Sequence, residues 1–219
     1  MHGISISQAV TIAKTHFLIT GDVCLLDGDE DFNFKITTPR ASYVLKISTT
    51  NLQRLETQNN VLHFLSQKEL PLTIPRVLTN NKGKKHTTIT IGATQYYVRL
   101  LTFVEGRLWA KVNPKTSILR HDLGYKAGAI TKALLEFKPL RKASNSHWDL
   151  ANVAWTREYM TLFKGENLDV IKRFQSLFSA IETHYKTLPK SAIHGDVNDY
   201  NILVSNNLKN LEVASIIDF

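Results

Sequence analysis

The stretch that decides the fold lies near the end of the chain: Ser191-Ala-Ile-His-Gly-Asp-Val-Asn-Asp-Tyr-Asn-Ile-Leu-Val204, then a short polar run, then Val213-Ala-Ser-Ile-Ile-Asp-Phe219. It reads as an apolar lead-in, a polar loop rich in Asp and Asn, and two apolar strands joined by a turn. An Asx-rich turn before an ordinary hairpin would use the same residue types as turn formers. That reading does not account for the spacing of His194, Asp196 and Asn201, at i, i+2 and i+7. Nor does it account for Asp218, a carboxylate placed directly behind the apolar Ile216-Ile217.

Phosphoryl transfer uses this spacing. An Asp stands beside the incoming hydroxyl, an Asn five residues later binds Mg²⁺, and a second Asp ligand follows the next strand. Magnesium takes hard oxygen ligands, which Asn and Asp supply. Asp196 is therefore the candidate base, Asn201 and Asp218 are the candidate metal ligands, and His194 orients the loop. A loop followed by a hairpin brings Asn201 and Asp218 to one end of the strands despite their separation in sequence.

The run HGDVNDYNIL together with IIDF resembles the aminoglycoside phosphotransferase and choline kinase superfamily. The Asn198-Asp199 pair, where other members often carry His-Pro, is similar to the hydroxylysine kinase branch, including kinase domains fused to class III aminotransferases. The resemblance implies an α+β, protein-kinase-like fold of two lobes. A β-rich, nucleotide-binding small lobe would span 1–103, and a mainly helical large lobe with the catalytic loop would span 104–219. It further implies Mg²⁺, ATP or GTP as donor, and a small hydroxylated amine or amino acid as acceptor, with 5-hydroxylysine and GTP as its first choice. An aminoglycoside or choline-type acceptor, or a catalytically silent nucleotide-binding or interaction domain, are the alternatives. Resembling kinases continue beyond this point with a Gly, often a further Asp, and several large-lobe helices. The end at Phe219 thus implies a truncated large lobe, with self-association or docking to a fused partner through its incomplete surface.

Composition sets ordinary bounds. The chain has 219 residues, 43% of them hydrophobic, enough for one large core or two lobes. Its 27 Lys and Arg against 19 acids give a net charge of +8, which suits an anionic ligand and equally a solvated basic surface. The single cysteine, Cys24, excludes an internal disulfide, fits a reducing compartment, and reads as a small buried residue. No apolar run approaches 18 residues, and no signal peptide opens the chain, so a soluble cytoplasmic protein is expected. The Lys cluster within Asn80–Lys85 lacks interleaved aromatics, which argues for a solvated turn and against nucleic-acid binding.

Along the small lobe, Ser5 to Phe17 reads as a helix capped by Ser5 or Ser7, with Val10, Ala13 and Phe17 on one face. Leu25 to Ile36 reads as two strands around a turn at Gly28. In resembling kinases this hairpin covers the nucleotide phosphates. The acidic run Asp27, Asp29, Glu30 and Asp31 would repel phosphate if it pointed inward, which leaves backbone N–H groups for the task. Asp31 to Phe34, Asp-x-Asn-Phe, is again similar to the hydroxylysine kinase branch. Ser42 to Ser48 alternates as a strand whose apolar centre is interrupted by Lys46. A lysine there must snorkel to water or meet an anion, and the kinase scheme offers the nucleotide's α and β phosphates.

Thr50 to Gln67 is an amphipathic helix with Leu52, Leu55, Leu62 and Leu65 on its apolar face. It supplies Glu56 as the carboxylate to pair with Lys46, Gln58 being the rival for that position. Strands follow at Arg76–Thr79, Thr87–Ile91 and Gln95–Leu101. Tyr96 to Gly106 would pass from one lobe to the other, and the resemblance implies purine contact by its backbone, at Leu100 and Leu101. Val98-Arg-Leu-Leu-Thr and Glu105-Gly-Arg107 belong to the same resemblance. Beyond Pro114 the chain turns helical: a long helix through Phe137, a loop containing His147, a short helix to Phe163, and a helix with core stripe Ile171, Phe174, Phe178, Ile181 and Tyr185. His121, His147 and His184 lack metal-ligand spacing.

Overall fold

The computed structural model of the chain describes residues 3–28, 31–138 and 149–219. They fall into two compact units, Met1–Phe137 with Asp196–Phe219, and Lys138–Gly195. The first unit is built on an antiparallel sheet. Strands β1 (Asp22–Leu26), β2 (Phe32–Thr37), β3 (Ser42–Ser48), β4 (Val77–Leu78), β5 (Thr87–Ile91) and β6 (Thr94–Thr102) lie in the order β1-β2-β3-β6-β4, and β5 also pairs with β6.

Strand alternation sorts the sheet into two faces of opposite character. On one face Phe34, Ile36, Leu45, Ile47, Tyr96, Val98 and Leu100 form the core with helix α1 (Ile6–Ile12) and the π-helical turn Ala13–Phe17 that continues it. Ser5 and Gln8 close a capping box at the start of α1, with Gln8 N–H donating to the Ser5 hydroxyl and Ser5 N–H donating to the Gln8 side chain. Such a cap contributes about 1 kcal/mol. Ala9, Ile12, Ala13 and Phe17 are the buried residues, and Val10 is turned outward. On the opposite face, one residue out of step, the register sets Asn33 against Lys46 and Lys46 against Arg99. A polar row thus crosses the three central strands. Helix α2 (Leu52–Leu65), capped by the Asn51 side chain, meets this row through Asn59.

A second sheet completes the unit, with strands β7 (Arg107–Leu108), β8 (Ile202–Val204) and β9 (Val213–Ile216) in that order. The two residues of β7 are too few to show a period in sequence. Helix α3 (Ser117–Leu134), capped by Thr116, is fastened to the start of β9. Lys126, buried on α3, donates to the Val213 carbonyl at 2.7 Å and pairs with Asp122 and Glu212, each at 3.1 Å. Asp122 in turn accepts from the Val213 N–H at 2.6 Å.

The second unit holds a 3₁₀ segment (Leu150–Leu162) and helix α4 (Gly165–Thr187). The stripe expected to be core on α4 is only partly covered. Phe178 and Tyr185 meet edge to face at 5.4 Å, but Phe174 is 66% and Ile181 53% exposed. Among the described residues of its unit the helix packs on the 3₁₀ segment, which covers one strip of it. Cys24 also departs from expectation: it is exposed, because β1 is an edge strand whose outer face is uncovered. Asp29, Glu30 and His147 lie outside the described residues. Among the described residues no helix is long and apolar enough to cross a membrane.

Candidate active site

The loop after Gly195 is built by its own Asx residues. Asn198 Oδ1 accepts from the Tyr200 N–H at 2.8 Å, and the Asn201 N–H donates to the Asn198 carbonyl at 3.0 Å. Ala110 N–H holds the Asp199 carbonyl at 3.0 Å, and Lys115 approaches the Asp199 carboxylate at 3.4 Å. Inside this frame Asp196 Oδ1 accepts from Asn198 Nδ2 at 2.9 Å and Oδ2 from Asn201 Nδ2 at 3.0 Å. Asn201 Nδ2 also reaches the Asp196 carbonyl at 3.0 Å. With its nitrogen turned to Asp196, the Asn201 amide directs Oδ1 away from the loop.

Asp218 arrives by strand pairing. Ile202 is opposite Ile216, and the Ile217 N–H donates to the Asn201 carbonyl at 2.8 Å, so Asp218 follows directly beside Asn201. Its φ of 67° is left-handed, a conformation that takes the residue out of the strand path. The Asp218 carboxylate pairs with Lys46 Nζ, which also lies 3.3 Å from Asp31 Oδ2. Lys46 is 6% exposed, and Arg99, its register partner on β6, only 2%. Arg99 Nη1 donates to Asn59 Oδ1 at 3.2 Å. Burial pushes the Arg99 guanidinium down from its ordinary range, while the Asp31 and Asp218 carboxylates oppose that shift.

The structure thus brings together Lys46, Asp196, Asn201 and Asp218 within one unit. Three expectations change. Glu56 is exposed, because α2 turns Leu55, Asn59 and Leu62 inward, so the carboxylates at Lys46 come from Asp31 and Asp218 instead. Gln58 is half-buried. Leu100 and Leu101 sit inside β6, paired with β3 on one side and β4 on the other, so the ladders engage their backbone groups. The connector beyond them, Val104 to Gly106, is outside any strand. Asp31 points inward although its acidic run argued for the reverse.

Gly28 closes the first hairpin tightly: a Cβ there would lie 2.3 Å from Asn33 Nδ2 and 2.8 Å from the Asp31 carbonyl oxygen. His194 belongs to the second unit and is half-buried. Sequence reasoning missed Asp31, Asn59 and Arg99 as site residues. The usable signal for Arg99 was a charge in the middle of an apolar strand, the same feature that marked Lys46.

The donor set fits a divalent cation carried with phosphate. Among the described residues no group of three or more His, Cys, Asp or Glu could hold a metal. Magnesium in nucleotide enzymes needs no such cage, since one or two side-chain oxygens plus phosphates and water suffice. The free Oδ1 of Asn201 and the carboxylate of Asp218 are oxygens of that kind.

Comparison with known proteins identifies the family. The profile of the phosphotransferase enzyme family, APH, matches residues 22–219. The chain belongs to the APH family. Among its relatives, the hydroxylysine kinase of Mus musculus is 31% identical over 197 residues, covering 80% of this chain and 52% of that protein. The hydroxylysine kinase of Xenopus laevis is 31% identical over 202 residues, covering 81% and 52%. This APH-family chain therefore spans about half the length of these relatives. In fold it is similar to the microcompartment-associated aminopropanol kinase, with a TM-score of 0.73, 16% identity, and 95% of this chain and 68% of that one covered. It is also similar to the amicoumacin kinase hAmiN in complex with AMP-PNP, Ca²⁺ and Ami, with a TM-score of 0.68, 13% identity and 94% and 62% covered. The APH assignment carries with it the kinase-like α+β fold expected from the sequence.

Proposed function

We propose that this chain is the phosphotransferase part of a small-molecule kinase that moves the γ-phosphate of ATP or GTP, with Mg²⁺, onto a hydroxyl of an amino acid or amino alcohol. The observation that carries the reading is the convergence of Lys46, Asn201 and Asp218 beside Asp196. Lys46 would hold the nucleotide phosphates. Asn201 Oδ1 and Asp218 would hold the metal, which when bound neutralises charge on the β and γ phosphates. Asp196, oriented by two amide N–H groups, would align the acceptor hydroxyl and take its proton. His194 would steady the loop.

In this reading residues 1–103 form the nucleotide lobe and 104–219 carry the catalytic loop. Gly28 would let the first hairpin approach the phosphates. The connector Val104–Gly106, beyond Leu100 and Leu101, is where backbone groups remain for the purine. Its position is held by Lys35, which lies 3.9 Å over the Phe103 ring and 3.5 Å from Glu105.

Similarity to hydroxylysine kinases makes 5-hydroxylysine the first acceptor to test. Incubation with Mg²⁺ and ATP or GTP against 5-hydroxylysine, lysine, aminopropanol, choline and an aminoglycoside decides among acceptors. Phosphorylation of 5-hydroxylysine but not lysine is expected, since lysine lacks the receiving hydroxyl. Transfer to the aminoglycoside or choline alone would reassign the acceptor, and transfer to none would contradict the reading.

A further inference from the structure

A lysine that holds phosphate needs a carboxylate to aim it, and in protein kinases a Glu on the following helix supplies one. In this chain the corresponding helix does not. The inward face of α2 carries Leu55, Asn59 and Leu62, Asn59 is taken by Arg99 at 3.2 Å, and Glu56 is exposed. Among the described residues the carboxylates at Lys46 are those of Asp218 and, at 3.3 Å, Asp31. Asp218 is a metal ligand in the function proposed above, and a bound divalent cation competes with the ammonium for its oxygens. Asp31 has no such second task. Resting on that reading, we propose that Asp31, at the exit of the β1–β2 hairpin, is the positioning carboxylate of Lys46, in place of a helix glutamate.

The surroundings require a fixed negative charge there. Lys46 and Arg99 are register partners on adjacent strands with both side chains buried. Two buried cations side by side repel strongly unless carboxylates accompany them. Arg99 lies in the field of both Asp31 and Asp218. Once Asp218 turns to a metal, Asp31 is the counter-ion left to the pair among the described residues. An ammonium has three N–H donors, so one can stay on Asp31 while others face phosphate. Asp31 is itself well placed to be rigid: the next residue, Phe32, is paired with Ile47 of β3, the strand that carries Lys46. Covering the phosphates with the hairpin and aiming the lysine therefore become one event.

Asp31→Asn, Asp31→Glu and Glu56→Gln, made in the polypeptide as its gene encodes it, test this by nucleotide dissociation constant, turnover and melting temperature. For Asp31→Asn, kcat should fall about 10- to 100-fold, the range seen when a carboxylate orienting a functional group is lost. The nucleotide dissociation constant should stay equal or drop, because a negative charge has left the phosphate site. The melting temperature should stay within about 3 °C. Asp31→Glu should regain most of kcat, and Glu56→Gln should remain within about two-fold of wild type.

A structural role would instead weaken nucleotide binding and lower the melting temperature together with kcat, and that result overturns the proposal. Full kcat in Asp31→Asn, or an equal loss in Glu56→Gln, overturns it too. A wild-type protein without nucleotide binding or without turnover removes the phosphotransferase reading beneath it, a different failure from one confined to the variants.

Discussion

Lys46 has two carboxylates and one buried cation around it, yet its fold energy and its function separate. Asp31 and Asp218 are 22% and 48% exposed at their side chains, so neither is left stranded in a dry interior if the lysine goes. Lys46→Ala should therefore cost stability on the scale of a part-exposed ion pair plus a lost stem, about 1–2 kcal/mol. Nucleotide affinity should fall by at least about ten-fold, since the charge that meets the phosphates is gone. Calorimetric binding and thermal melting separate these; a large drop in melting temperature with unchanged affinity would make Lys46 structural. Lys46, Asp196, Asn201 and Asp218 were legible in the sequence because each breaks a local rule, a charge in an apolar strand or Asx residues at a reaction's spacing. Asp31 was not legible. The direction of its side chain depends on the hairpin's register against β3, and the neighbouring acids made an outward face the natural expectation. Arg99 carried the same signal as Lys46, but its partnership with Lys46 exists only through the pairing of β3 with β6.

At the scale of elements, strands β2 to β6, β8 and β9 and the helices were readable from alternation and apolar spacing, whereas β1 was expected from Leu25 and begins at Asp22. Two finer features were not. The rotation of α2 decides which residue faces the sheet. Four leucines suggested a face, but Leu52 is exposed while Leu55, Leu62 and Leu65 are buried, and that shift brings Asn59 inward and sends Glu56 out. The short β7 was also invisible, although it fixes β8 through Leu108 against Leu203. Helix α3 and β9 are joined by Lys126, which binds Asp122, Glu212 and the Val213 carbonyl. Lys126→Met should cost about 1–3 kcal/mol, the loss of charged hydrogen bonds to two part-exposed carboxylates and to the buried Val213 carbonyl. Because β9 leads into Asp218, the same change should weaken metal-dependent nucleotide binding. Denaturant melts and nucleotide titrations with and without Mg²⁺ check both parts; unchanged stability would show that Lys126 does not brace β9.

At the scale of the whole molecule, the chain spans 52% of the hydroxylysine kinases from mouse and Xenopus, and helix α4 exposes Phe174, Leu177 and Ile181 along one side. Exposed apolar patches of this kind promote association. Light scattering on the purified chain should give a mass that rises with concentration above the 24.8 kDa monomer, and Phe174→Ser/Leu177→Ser/Ile181→Ser should return it to that value. A monodisperse wild-type monomer would show that this face does not associate. The account rests, above all, on Asp196 acting on a hydroxyl beside a nucleotide held by Lys46, Asn201 and Asp218. The most direct measurement is transfer of labelled γ-phosphate to 5-hydroxylysine by wild type and by Asp196→Asn, with nucleotide affinity measured on both. The account predicts transfer by wild type, a loss of about 10²–10⁴ in kcat for Asp196→Asn, and nucleotide affinity that is nearly the same. Transfer by Asp196→Asn within a few-fold of wild type would contradict it.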